Sequence, residues 1–340
     1  MLRMTRAVRV GNITIGGGAK VSVQSMTNTL TTDISSTVAQ INRLYNIGAD
    51  LVRVSVPDEA SAEAFSQIAK ASPLPLIADI HFDYRLALKA IAAGAAKIRI
   101  NPSNMGSSGI FEIVKAAKDK GIPIRVGVNR GSVKKEISPK ELALLALDAA
   151  AELEDKGFYD IVLAVKSSDV RATIEAYREL HARCDYPLHI GLTESGTPKF
   201  GELKSAVAIG SLLADGIGDT IRVSLTAEPE AEIEAGIRIL RAVGLRKDFV
   251  EVVACPTCAR TNIDIVGIAE EIERKTKHLD KRLKIAVMGC IVNGIGESKG
   301  ADFGVCGGKS QSAIFKNKEI IATVPNDKII DELMRLVEEY

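Results

Sequence analysis

Between residues 21 and 242 the chain repeats one pattern: a short apolar run rich in β-branched residues, a polar loop, then an amphipathic stretch of about ten to eighteen residues. Short apolar runs read as strands buried on both faces. Apolar positions three and four apart read as helices with one buried face, so each repeat is a βα unit. The runs lie at 21–25, 50–56, 75–80, 97–100, 123–128, 160–165, 187–192 and 219–225. Gly48, Gly94, Gly121 and Gly157 stand at or just past helix ends, where the chain must turn back to a strand. Eight such units with no glycine-rich phosphate fingerprint after the first strand predict an α/β fold, a (β/α)8 TIM-type barrel, over a doubly wound sheet. The alternating stretch 8–15, followed by Gly16, Gly17 and Gly18, predicts a hairpin capping one end of that barrel.

The rhythm changes after residue 243, so the barrel domain is expected to span 1–243 and a small α+β domain 244–340. In the second domain the pattern predicts strands at 250–254 and 285–288, a charged helix near 263–277, two strands near 313–315 and 319–323 around the turn Asn317-Lys318, and a closing helix near 327–338.

Composition narrows the function. At 340 residues and 46% apolar content the chain can bury large cores. Its 44 basic and 43 acidic residues leave a net charge of +1, which gives no broad basic field for nucleic acid. No uninterrupted apolar run of about 18 residues is present, and the first residues lack the apolar centre of a signal peptide. A soluble, cytoplasmic protein with no membrane or nucleic-acid partner is the expectation. Five cysteines without an export signal favour metal or redox use over a disulfide framework.

Four strands carry an arginine within an apolar run: Arg53 in LVRVSVP, Arg99 in KIRINP, Arg125 in PIRVGVN and Arg222 in TIRVSL; Lys166 ends DIVLAVK. Functional groups of such barrels gather where strands end at their carboxyl side, so these cations should converge on one mouth. Buried cations need counter-charge, and Asp79 and Glu194 at neighbouring strand ends supply part of it. The remainder points to an anionic ligand, for which arginine forks fit phosphate well. The competing reading is interior salt bridges that merely fill the barrel. Ser25, His81, Asn101, Asn129, Thr193 and Ser224 are further strand-end groups of the kind that orient a small substrate, and Glu194 is the leading acid/base candidate.

Cys255 and Cys258 form CPTC at one strand end, and Cys290 lies in MGCIVNGIGE at another. Three thiolates at C-x2-C-x31-C are a metal signal. Cys306 would complete a four-thiolate zinc or iron-sulfur site; Glu297, seven residues after Cys290, would give three thiolates and a carboxylate. The spacing does not choose between them. Cys184 has no cysteine near it and reads as an ordinary thiol. GVCGGKS lacks the first glycine of a phosphate loop, since Phe303 stands there, and nucleotide binding at that segment is rejected.

With VQSMTNT, LVRVSVP, ADIHFD, KIRINP, GVN, HIGLTESG, CPTCART and MGCIVNGIGE in view, the chain resembles the bacterial 4-hydroxy-3-methylbut-2-enyl diphosphate synthase family (IspG, also called GcpE), nearly end to end and in its shorter two-domain form. The resemblance implies a barrel binding 2-C-methyl-D-erythritol 2,4-cyclodiphosphate and a C-terminal domain with a [4Fe-4S] cluster. It implies cluster ligation by Cys255, Cys258, Cys290 and Glu297. It puts the diphosphate on Arg53, Arg99, Arg125, Lys166 and Arg222, assisted by Asn101, Asn129 and Ser224; from their strand-end positions Asp79 and Thr193 are expected at the substrate too. Glu194 fits the family's acidic residue at the reacting centre, and the resemblance also implies that Arg260 in CART, next to the cluster, lies near the substrate. A head-to-tail homodimer and reduced ferredoxin or flavodoxin as electron donor follow from the same resemblance. The alternatives are a non-redox barrel enzyme, or a sensor of a phosphorylated metabolite, with a structural zinc site.

Overall fold

The computed structural model of the chain describes residues 4–101, 105–130, 137–291, 296, 298 and 300–340. The chain divides into two compact units, Met1–Leu245 and Arg246–Tyr340.

The first unit opens with the expected hairpin, β1 (Val8–Val10) and β2 (Ile13–Ile15), paired antiparallel. The eight barrel strands follow: β3 (Ser22–Met26), β4 (Leu51–Ser55), β5 (Leu76–Asp79), β6 (Lys97–Ile100), β7 (Ile124–Asn129), β8 (Ile161–Lys166), β9 (His189–Ile190) and β10 (Thr220–Ile221). All pair parallel in the order β8-β7-β6-β5-β4-β3-β10-β9. The ring closes between β8 and β9 through a Leu163–Leu188 bridge, where the Leu163 N–H donates to Pro187 O at 2.9 Å. The last two strands are shorter than the apolar runs at 187–192 and 219–225 suggest. Beyond those two residues the chain bends into loops that carry polar groups.

Helices α1 (Ile34–Asn46), α2 (Glu59–Ala71), α3 (Tyr84–Ala92), α4 (Ser107–Lys120), α5 (Pro139–Glu154), α6 (Val170–Arg183), α7 (Pro198–Ala214) and α8 (Pro229–Ala242) connect the strands. Their starts are written in the sequence. Asp33, Asp58, Asp83 and Asp169 accept from backbone N–H groups of the first turn, and Ser138 with Glu141 forms a capping box. Each such cap contributes on the order of 1 kcal/mol. Helix α4 ends on Gly121 in the left-handed conformation, as its position past the last helical residue predicts.

Alternate strand residues divide the burial. Val23, Val52, Val54, Ala78, Ile98, Ile124, Val126, Leu163, Ile190 and Ile221 belong to the main core, shared with the helices. The hairpin's Val10 and Ile15 form a separate cluster with Leu51 and Ile77. Leu51 begins β4, so the hairpin seals the amino end of the barrel and leaves the carboxyl end as the mouth.

The second unit is a five-stranded sheet, β11 (Val250–Ala254), β12 (Leu283–Met288), β13 (Phe303–Cys306), β14 (Gln311–Lys316) and β15 (Glu319–Pro325), in that order. Helices α9 (Ile265–Thr276) and α10 (Ile329–Glu339) share a core with one of its faces. The sequence reading missed β13. FGVC is only four residues long and runs into Gly307 and Gly308, so it looks like a loop; its strand state comes from pairing on both sides, parallel to β12 and antiparallel to β14.

Candidate functional site

Inward-facing residues of an eight-stranded parallel barrel stack in layers of four drawn from alternate strands, the level rising by about one residue per strand. Applied to the observed registers, this ordering runs from floor to mouth as follows. The lowest layer is Leu51, Lys97, Val162 and Thr220, and above it lie Gln24, Ile77, Arg125 and His189. Next come Arg53, Arg99, Ala164 and Arg222, then Met26, Asp79, Gly127 and Gly191. Ser55, Asn101, Lys166 and Ser224 form the mouth. Three of the four residues in the central layer are therefore arginines.

Each of these arginines has a holder. Arg53 donates to Met26 Sδ from Nε at 3.1 Å and from Nη2 at 2.9 Å, and lies 3.8 Å from Asp79. Arg99 meets Asp79 Oδ1 at 3.2 Å. Arg222 Nη2 lies 3.5 Å from Glu232 Oε2, and Arg125 Nη1 reaches Gln24 Oε1 at 3.5 Å. Glycines keep the next layer open. A Cβ on Gly191 would sit 2.3 Å from Arg222 O, and one on Gly127 would sit 3.1 Å from Arg99 Nε.

Burial and mutual repulsion push the Arg53 guanidinium down to about 10 and lower Arg125 and Lys166 well below their ordinary values. Burial would raise the Asp79 carboxyl, but Arg53, a hydrogen bond from His81 and Arg99 together hold it below the usual carboxylate range. These groups form one electrostatic unit: the charges of Arg99 and Arg222 bear on Arg53 and Arg125, and those of Arg222, Arg125 and Arg53 bear on Lys166.

The counter-charge is a correction to the sequence reading. Asp79 serves as expected, but the second internal carboxylate is Glu232, buried on α8, and not Glu194. Glu232 also accepts from Leu225 N–H at 3.0 Å and from Ser25 Oγ at 3.3 Å. Ser25 thereby leaves the set of mouth groups: its parity turns it toward α8. Glu194 lies exposed just beyond β9 and makes no ion pair among the described residues; its backbone has a φ of 55°, a left-handed conformation that a non-glycine residue adopts at a cost. Asn101 is buried with Oδ1 unpartnered, while Asn129, Thr193 and Ser224 are half-buried at strand ends. His81 is exposed with Nε2 3.3 Å from Asp79.

Sequence reasoning overlooked Lys97, Gln24 and His189, all fully buried inside the barrel, along with Glu232. A signal for Lys97 existed. It stands two residues before Arg99 in one strand, so both must face inward. Glu232 gave none, because a carboxylate in the first turn of a helix is ordinary.

In the second unit the CPTC turn follows β11 and Cys290 follows β12, two neighbouring parallel strands. Gly289 N–H donates to Cys255 Sγ at 3.2 Å, tying the turn to the strand end that leads into Cys290. Hydrogen bonding by Arg260 lowers the exposed Cys258 thiol toward the thiolate that metal ions require. Arg260, also exposed, is thus placed beside the cysteines. Cys306 is buried on β13, and that burial, together with Cys290 and Cys255, pushes its thiol up to about 11. No group of three metal-binding side chains is assembled among the described residues; Glu297, the expected fourth ligand, lies outside them. Cys184 ends α6, donating to Leu180 O at 3.3 Å, and belongs to the packing of the barrel. No helix among the described residues is long and apolar enough to cross a membrane.

Family models match both units: a GcpE TIM-barrel domain over residues 5–237 and a GcpE protein C-terminal domain over 251–339. The chain belongs to the GcpE family. Its GcpE relatives cover it end to end. It is 51% identical to 4-hydroxy-3-methylbut-2-en-1-yl diphosphate synthase (flavodoxin) of Caldanaerobacter subterraneus subsp. tengcongensis, over 100% of this chain and 98% of that protein. It is 50% identical to the enzyme of that name from Clostridium perfringens, over 98% of each. Among solved structures the GcpE barrel resembles type I 3-dehydroquinate dehydratase of Clostridium difficile, with a TM-score of 0.55 and 15% identity over 71% of this chain and 98% of that one. It also resembles dihydropteroate synthase of Xanthomonas albilineans, with a TM-score of 0.51 and 17% identity over 70% and 98%. At such identities these two likenesses speak for the barrel fold alone.

Proposed function

We propose that the barrel mouth holds the cyclic diphosphate and that the cysteine loops hold a [4Fe-4S] cluster, so that the chain carries out the reductive ring opening and dehydration of 2-C-methyl-D-erythritol 2,4-cyclodiphosphate. The observation that carries this reading is the central arginine layer. Three arginines share two carboxylates inside one barrel, with Arg125 and Lys166 close by, a surplus that a diphosphate would neutralise.

In this reaction the bond from C2 to its phosphate oxygen breaks, the C3 hydroxyl departs as water and a C2–C3 double bond forms. Two electrons and one proton are taken up, and the diphosphate emerges with one more negative charge. Arg53, Arg99, Arg125, Lys166 and Arg222 bind the diphosphate and are already in place for the charge released at bond breaking. Asn101, Asn129, Thr193 and Ser224 orient the carbon chain from the strand ends. Asp79 keeps Arg53 and Arg99 fixed, and Glu194 carries the proton to or from the C3 hydroxyl.

The soft donor set of Cys255, Cys258 and Cys290 suits an iron-sulfur cluster, with Glu297 as the harder fourth ligand and Arg260 alongside. When bound, the cluster supplies electrons received from a reduced flavodoxin. The reading includes a head-to-tail homodimer and a cytoplasmic setting. Anaerobically purified chain should show broad visible absorption and about four iron atoms per polypeptide. It should also convert the cyclic diphosphate when given reduced flavodoxin. Colourless, zinc-loaded protein that turns over nothing would transfer the case to a structural metal site.

A further inference from the structure

Below the arginine layer the barrel contains a second polar level, of which the diphosphate reading uses only Arg125. Lys97 and His189 are completely buried, Arg125 nearly so, and Gln24 completes the group from the opposite side of the ring. Lys97 Nζ, Arg125 Nε, His189 Nε2 and Gln24 Nε2 have no hydrogen-bond partner among the described residues. They come from four strands, β6, β7, β9 and β3, and all face the barrel axis. The charge of Arg125 bears on Lys97, and both bear on His189. The two lowest layers contain no carboxylate. Asp79 and Glu232 lie higher and are engaged with Arg53, Arg99 and Arg222. Val10 and Ile15 of the hairpin pack against Leu51 and Ile77 of the same two layers and close the space from beneath with apolar side chains.

Arg125 spends Nη1 on Gln24 Oε1 and His189 faces Thr220 with Nδ1, but four buried nitrogens around a closed axis, two of them on cationic side chains, remain without partners among the described residues and form a nest for a negative charge; leaving them unmet would be costly. We propose that the barrel floor is a binding site for a small monovalent anion of halide size, held by Lys97, Arg125, His189 and Gln24 beneath the diphosphate. Size follows from the surroundings. The site lies between the apolar floor and the arginine layer, inside a ring of eight strands, and the two lowest layers hold no carboxylate to pair a cation. The anion would let Lys97 and Arg125 stay charged under the substrate, and Arg125 would link the two sites.

The test is a crystal of the cluster-loaded chain grown with sodium bromide, with anomalous scattering used to find the ion. A bromide peak among Lys97, Arg125 and His189 that persists when the diphosphate is added supports the floor site. Peaks confined to the mouth and lost on adding diphosphate, with ordered water alone at the floor, overturn it and leave the proposed reaction untouched. As a second readout, sodium chloride should raise the melting temperature of the wild-type chain over sodium gluconate at equal ionic strength. At a hundredfold excess over Kd the rise should be about 5 °C. Lys97→Met should abolish that difference. An equal chloride effect in both proteins would also overturn the proposal.

Discussion

Glu232, in the first turns of α8, holds Arg222 of β10 at 3.5 Å while accepting from the Leu225 N–H and the Ser25 hydroxyl. One buried carboxylate thus fixes a candidate diphosphate ligand, the chain that follows it and the neighbouring strand. Glu232→Gln keeps the shape and removes the charge. Substrate binding by the cluster-loaded enzyme should weaken about tenfold, corresponding to about 1.4 kcal/mol, because Arg222 loses its fixed orientation. Calorimetric titration checks this, and unchanged affinity would reduce Glu232 to a packing role.

Arg125 reaches across the barrel to Gln24 and is almost wholly buried. Arg125→Ala should weaken diphosphate binding about 10- to 100-fold, the range of a lost charge-assisted hydrogen bond or two. The visible spectrum should not change, since the cysteines lie in the other unit. Calorimetry beside absorption spectroscopy separates these outcomes. Wild-type affinity in the variant would make Arg125 part of the barrel filling alone.

The four cysteines of the second unit should divide unequally. Cys290→Ser and Glu297→Ala should yield iron-depleted protein, whereas Cys306→Ala should retain its iron, because Cys306 packs in an apolar cluster with Met288 and Phe315. Iron analysis and Mössbauer spectra of the three variants decide the matter. Loss of iron in Cys306→Ala with retention in Glu297→Ala would reverse the ligand assignment.

Asp79 is held below the usual carboxylate range by its cationic neighbours. A carboxyl depressed in the folded state stabilises the fold above the unfolded-state value, near pH 4, and that contribution fades as pH falls toward the folded value. Thermal unfolding of the wild-type chain should therefore lose stability on acidification below about pH 4. Asp79→Asn should be less stable at pH 7 and show a shallower decline. Parallel curves for the two proteins would mean that Asp79 contributes nothing through its charge.

The head-to-tail homodimer can be tested by mixing subunits. Co-expressed Glu194→Gln and Cys290→Ser chains, each inactive alone, should regain about a quarter of wild-type sites if the substrate unit of one chain works with the cluster unit of the other. An activity no greater than either parent gives would rule that arrangement out.

Much of this molecule could be read from the linear sequence because its signals are local. Short apolar runs alternating with period-3.6 stretches set the eight barrel units, glycines marked helix ends, and C-x2-C with a later cysteine marked the metal loops. The strand arginines were legible because an inward guanidinium inside an apolar run violates the pattern around it. What only the tertiary structure decided depends on partners distant in sequence. FGVC became a strand through its neighbours β12 and β14, and Ser25 turned away from the mouth toward α8. Glu232 became Arg222's counter-ion once α8 had docked. Lys97, Gln24, Arg125 and His189 became a buried polar floor only when closure of the ring stacked four strands into layers. Burial and counter-charge are properties of the closed barrel, and no window of sequence contains them.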